Sequence, residues 1–458
     1  MSRLAGEDGG ADVDLVVRNG TVVTPQARVR GDVLIRQGRV LDIVGGWDGS
    51  ARAGIDATGL LVYPGMIDTH VHLMEPGDPS RESFAEGTSA AARSGVTTII
   101  EHTHGWPVHE LERLREKRAH LGGRAHVDYG LAAHVWPERL GQLEPLWHAG
   151  VGFFKIFTCT THGVPGIGAD RLLDVFGRLA ELDARCLVHC EDELMTAAAE
   201  RLLKAAGRFD PGVLPEWRSR EAELVAVSHV AAAASLTGAV VRVAHASNPA
   251  VAGLVAKARA EGAALSAETC PQYLVLHEDE ALTEGALHKF TPPARVRTDA
   301  DRAAMWDLVA RGELDTIASD HAPSTREQKL AGDIWSAPFG LPGLDTTCSV
   351  LLDAVSAGHI TPERVAELYS RRPATHFGLA GKGLIAPGYD ADLVLVDPDQ
   401  EWTVQDADVL SHAAWSPFAG RRLRGRAVLT ALRGEVICED GVVSPERIGR
   451  FVPGPGAR

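Results

Sequence analysis

Between about Val62 and Leu379, short apolar runs rich in β-branched residues alternate with Ala- and Leu-rich stretches of helical texture. TTIIEH precedes HELERLREKRAHL, RCLVHC precedes DELMTAAAERLLKAA, and VVRVAH precedes PAVAGLVAKARAEG. Strands apolar on both faces and regularly followed by helices predict parallel βαβ units. Roughly 320 residues of this pattern suit a (β/α)₈ barrel with insertions. A doubly wound sheet is the alternative, but no Gly-x-Gly-x-x-Gly follows the first strand, which disfavours a dinucleotide fold. The expected fold class is thus α/β, with a TIM-type barrel over residues 63–383.

The two ends have a different texture. LVVRNGTVVT places Asn19-Gly20 between two β-branched runs and predicts a hairpin, and DVLIRQGRVLDIV repeats the idea at Gln37-Gly38. DADLVLVDP and AVLTALRGEVICEDGVV bring strands back near the C-terminus, with turns at Arg433-Gly434 and Asp440-Gly441. Residues 13–62 and 384–445 are therefore expected to build one small β-sandwich domain from both termini. The polar, Gly-rich residues 1–12 read as a flexible tail, and residues 446–458, ending VPGPGAR, as a loose C-terminal one.

The formal net charge of −15 repels nucleic acid and anionic lipid, so neither is an expected partner. Six cysteines in 458 residues are too few for a disulfide scaffold and suit a reducing cytoplasm. No secretory leader and no run of eighteen apolar residues is legible.

The chemistry concentrates at strand ends. Asp68-Thr-His70-Val-His72 follows the strand-like LLVYPGMI. Side chains two apart on a strand share a side, so His70 and His72 can aim at one point as a half-site for a divalent metal. Lys155 lies within the apolar GVGFFKIF, where a lysine is costly unless ion-paired, snorkelling or chemically altered. His189 ends CLVH, His245 ends VVRVAH, and Asp320 ends DTIASD. In barrel enzymes the catalytic residues come from the C-terminal ends of several strands, and five strands here deliver His-x-His, Lys, His, His and Asp in that order.

The order and wording of these segments resemble the amidohydrolase superfamily in its cyclic amidohydrolase branch, which holds hydantoinases, dihydropyrimidinases, allantoinases and dihydroorotases. PGMIDTHVHLMEPG, GFFKIF, HCEDE, HASNP, AETCPQYL, KFTPPAR, ASDHAP and PGLDT carry the resemblance, which runs from about Leu15 to Val443. It implies two divalent metal ions, zinc by family habit. His70, His72 and Asp320 would hold one ion, His189 and His245 the other, and Lys155 would bridge both as a carboxylated (carbamate) side chain. It further implies a metal-bridging hydroxide that opens the amide bond of a cyclic ureide or imide, with Asp320 as the catalytic acid–base residue. A homodimer or homotetramer is the family's usual assembly. A mononuclear deaminase is disfavoured by Lys155, and a non-enzymatic assembly protein by the complete ligand set.

A hydantoin-type ring is the expected substrate, with allantoin as the alternative. Dihydroorotate is disfavoured because Met74 stands where dihydroorotases resemble this segment but carry an arginine for the substrate carboxylate, and methionine has neither charge nor donor. Thr291-Pro292 matches the loop whose backbone meets the ring's imide edge in that family, and Gly340 opens a second substrate loop. His102 and His104 follow TTIIE and share one side. They are either a hydrogen-bonding wall of the substrate pocket or a loop pair without a role, and both readings stand above a further metal site.

Overall fold

Alternation along each central strand sorts its residues between two environments. Phe153, Lys155 and Phe157 point one way while Phe154 and Ile156 point the other, and the same holds for Leu187 and His189 against Cys186 and Val188. The second set joins a large apolar core shared with the surrounding helices. From the first set Phe153 and Leu187, with Ile67, Ile100 and Ala244, fill an inner cluster that Phe377 plugs. A parallel sheet buried on both faces in this way needs cover on each side, from helices or from its own closed interior.

The computed structural model describes residues 4–6 and 12–458, so most of the tail expected over residues 1–12 lies outside the described residues. Eight parallel strands form the barrel. They are β1 (Met66–Val71), β2 (Val96–Glu101), β3 (Asp128–Leu131, resumed at Ala133–His134), β4 (Phe154–Phe157), β5 (Arg185–His189), β6 (Val240–Val243), β7 (Leu265–Thr269) and β8 (Thr316–Ile317). Each pairs in parallel register with the next. A parallel bridge between Val71 and His321, with His72 N–H donating to His321 O at 2.7 Å, closes the ring between β8 and β1. That closure excludes the open, doubly wound alternative. The crossover helices start on good caps: Ser83 forms a capping box with Glu86, and Asn248 caps the helix that begins at Pro249.

The termini meet in one mixed ten-stranded sheet, in which Leu61–Pro64 pairs antiparallel with Leu393–Thr403 and parallel with Val13–Val23. This sheet wraps its own apolar core, as a β-sandwich domain should. The chain leaves it for the barrel at Gly65, where any Cβ would lie 2.1 Å from Thr97 Oγ1. LLVYPGMI is therefore two strands in two sheets rather than one.

Two sequence expectations need correction. Turns do stand at Gln37-Gly38, Arg433-Gly434 and Asp440-Gly441, but Asn19-Gly20 lies inside the continuous strand Val13–Val23 as a bulge. Asn19 takes φ 63°, its N–H donates to Asp32 Oδ1 at 2.8 Å, and a Cβ on Gly20 would meet Val62 Cγ2 at 2.6 Å. An Asn-Gly pair serves a bulge for the same reason that it serves a turn, since both need positive φ.

The C-terminal residues are not loose. Val452 N–H donates to Tyr129 O and Gly454 N–H to Gly150 O, at 2.8 and 2.9 Å. Cβ atoms on Gly449 and Gly454 would lie 2.0 and 2.1 Å from the Val127 and Val151 carbonyl oxygens. The Gly/Pro composition read as looseness is what backbone-to-backbone docking requires here.

Candidate active site

The strand ends deliver their side chains to one cavity of about 350 Å³ at the C-terminal mouth of the barrel. It is bordered by His70, His72, Lys155, His189, His245 and Asp320, so the structure brings all six proposed ligand residues together. His245 and Asp320 lie just past β6 and β8, with φ of 36° and 51°. Non-glycine residues rarely enter this left-handed region, and its use at two site residues marks a local geometry held by its surroundings.

His70, His72 and His189 each have one ring nitrogen tied back and the other facing inward. His70 Nδ1–H donates to Glu268 Oε1 at 2.6 Å, and His72 Nδ1–H to His102 O at 3.0 Å. Their Nε2 atoms approach Asp320 Oδ1 at 3.1 and 3.4 Å. His189 Nε2–H donates to Glu191 Oε2 at 2.8 Å, which leaves Nδ1 facing His245 Nε2 at 2.9 Å. Lys155 Nζ stands 3.1 Å from His70 Nε2. Ligand atoms of His70, His245 and Asp320 lie within 4.8 Å of one another. This donor set fits divalent metals of the borderline class, and carboxylate-oriented imidazoles are the usual support for such ions.

Electrostatics point the same way. Burial lowers the pKa of His70, His72 and His245, whose neutral form is the one that ligates. Burial also depresses the Lys155 ammonium, opposed by Asp320 and Glu268, so the amine gives up its proton more readily than a surface lysine. Burial raises the Asp320 carboxyl to about 7, opposed first by Lys155.

The proposed substrate contacts divide. Thr291, Gly340 and His104 border the cavity. The Thr291 hydroxyl, however, donates to Glu191 Oε2 at 2.7 Å. Gly340 spends its N–H on Lys289 O and its carbonyl on Lys329 Nζ, both at 3.0 Å, so it shapes the wall without offering a free polar group. Its φ of 116°, and the 2.3 Å separation a Cβ would have from Ala322 O, require glycine. Pro292 is not among the lining residues, and its carbonyl accepts from Tyr273 Oη at 2.8 Å. His102 is also absent from the lining and lies behind it against the rings of His70 and His72.

Sequence reasoning missed Glu268, Glu191, Arg218 and His162. Glu191 is held well below the usual carboxylate range, to about 2, because Arg218, at 3.0 Å, and His189 outweigh its burial. Glu268 ends an apolar strand, as Asp320 does, and that was its available signal. Glu268→Gln keeps an acceptor for His70 but removes the charge. We expect metal affinity to fall about 10–100-fold in a chelator competition, whereas unchanged affinity would show that Glu268 does not support the site.

Residues 61–420 match the Amidohydrolase family. An allantoinase from Rubrobacter xylanophilus is 38% identical over 446 residues, covering 96% of this chain and 97% of that protein. An allantoinase from Salmonella newport is 34% identical over 455 residues, covering 96% and 98%. Among solved structures, the L-hydantoinase (dihydropyrimidinase) from Arthrobacter aurescens superposes with a TM-score of 0.92 at 32% identity, covering 96% of this chain and 100% of that one. The dihydropyrimidinase from Brevibacillus agri gives 0.90 at 29% identity, covering 97% and 99%. With a closed barrel, a six-residue donor cluster at its mouth and these relatives along nearly its whole length, the chain belongs to the amidohydrolase family, in its cyclic amidohydrolase branch.

Proposed function

We propose that this protein hydrolyses an amide C–N bond in a hydantoin-type cyclic ureide, using two divalent metal ions held by His70, His72, Lys155, His189, His245 and Asp320. The observation that carries this reading is the arrangement of the imidazoles. Four histidines from three strand ends each turn a free nitrogen to one cavity, while Glu268, Glu191 and a main-chain carbonyl hold three of them from behind. Zinc is the ion this donor set suits best. When bound, the cations supply Lewis acidity, which favours deprotonation of a water near neutral pH and draws charge from the scissile carbonyl.

The chain's own residues do the rest. The buried Lys155 amine, once neutral, adds to carbon dioxide and releases a proton, which converts a cationic side chain into an anionic oxygen donor beside His70. Asp320, within 3.4 Å of His70 and His72, accepts a proton from the attacking water and returns it to the departing ring nitrogen. That return matters because an amide nitrogen leaves poorly as an anion. Met74, Phe157 and Phe339 add apolar surface to the cavity lining, and His104 and His162, packed against those two phenylalanine rings, add imidazole edges.

Allantoin, itself a hydantoin with a polar substituent, is the first ring to test, because the relatives at 38% and 34% identity carry the name allantoinase. A homodimer or homotetramer and a cytoplasmic setting belong to the same reading, and the six buried, unpaired thiols support the latter. No helix among the described residues is long and apolar enough to cross a membrane. The test is turnover of the zinc-loaded protein on allantoin, 5-substituted hydantoins of both hands, dihydrouracil and dihydroorotate. The expected result is ring opening of a five-membered ureide well above dihydroorotate; preference for dihydroorotate would refute the assignment.

A further inference from the structure

Running from the cavity wall at His104 into the barrel behind it is a second histidine cluster to which ring opening gives no chemical step. His102 and His104 follow β2, and His134 ends β3. One ring nitrogen of each lies within 4.8 Å of the other two. His102 and His134 are 1% and 2% exposed. Both ring nitrogens of each, together with His104 Nε2, have no hydrogen-bond partner among the described residues. Buried polar atoms are costly to leave unpaired, and a single ion between the rings would take one nitrogen from each. The phenylalanine rings packed on them, Phe153 at His102 and Phe157 at His104 and His134, offer no hydrogen-bonding group.

We propose that His102, His104 and His134 hold a third divalent cation, of the class that imidazole binds well, zinc above all. Three imidazoles with an open fourth position are an established zinc donor set. To reach metal–nitrogen distances of about 2.0–2.1 Å, each ring moves inward by less than about 1 Å. His102 also lies within reach of His70 and His72 as a group, but His134 does not belong to that group, so substitutions at His134 separate the two arrangements. His104 borders the cavity, so the ion would sit in the substrate wall.

The test compares wild type with His134→Phe and His134→Asn, each stripped with a chelator, equilibrated with zinc and freed of excess metal before the ions per chain are counted. Both variants are expected to hold one ion fewer than wild type. Lys155→Ala is expected to keep one ion, which His134→Phe in the same chain removes. In a cobalt titration, the last equivalent adds a visible absorption band in wild type that is missing from both His134 variants. Equal metal counts in wild type and both His134 variants would overturn the proposal, as would a Lys155→Ala protein with no metal. The difference made by His134 is read independently of the paired ions, so failure of this site and failure of the Lys155 assignment give different counts.

Discussion

Lys155→Ala is expected to abolish ring opening and to lower metal content by two ions per chain, both at once. Lys155 is 1% exposed, sits within 3.1 Å of His70 Nε2, and carries a pKa depressed by burial. An ammonium there would repel cations, whereas a carbamate would supply them with two anionic oxygens. Alanine removes that donor and leaves room for a substitute. Short-chain carboxylic acids are therefore expected to restore part of both metal content and turnover, which a merely misfolded variant would not show. Full activity with unchanged metal content in Lys155→Ala would remove the bridging role.

Asp320→Asn is the second large effect. The amide keeps an oxygen facing His70 and His72 but can no longer take up and return a proton. Turnover is expected to fall by about 10²–10⁴-fold, the usual worth of a positioned acid–base group. Most of the metal should remain, and kcat should fall far more than KM rises. Near-normal turnover with metal retained would show that the proton passes by another route. The two substitutions therefore separate by metal content: Lys155 loses ions and rate together, Asp320 loses rate.

The residues that ended apolar strands were legible because strand geometry is local. A two-residue spacing sets His70 beside His72, and an apolar run that stops at His189 or Asp320 has to stop somewhere polar. Glu191 and Glu268 were harder, since their importance lies in which histidine nitrogen each one holds, a contact across 198 residues for Glu268 and His70. The histidine wall was half legible. His102 and His104 stood out by spacing, but His134 joins them only through the pairing of β2 with β3, which no local spacing reveals. Thr291 and Gly340 border the cavity and Pro292 does not, and their polar groups are partly committed to Glu191, Tyr273, Lys289 and Lys329, commitments that no sequence pattern reveals. The Asn19 bulge and the docked C-terminus share one cause: glycine marks unusual backbone geometry without saying which kind.

The most direct test of the account follows the ring itself. Chelator-stripped protein, and the same protein reloaded with zinc under dissolved carbon dioxide, are mixed with ¹³C-labelled allantoin or hydantoin, and the carbonyl signals are followed by NMR. The account predicts that only the reloaded protein converts a ring amide carbon to a carboxylate, with the ring nitrogen released as an open-chain urea. Equal conversion by the stripped protein, or no ring opening of any five-membered ureide by the fully reloaded one, would contradict it.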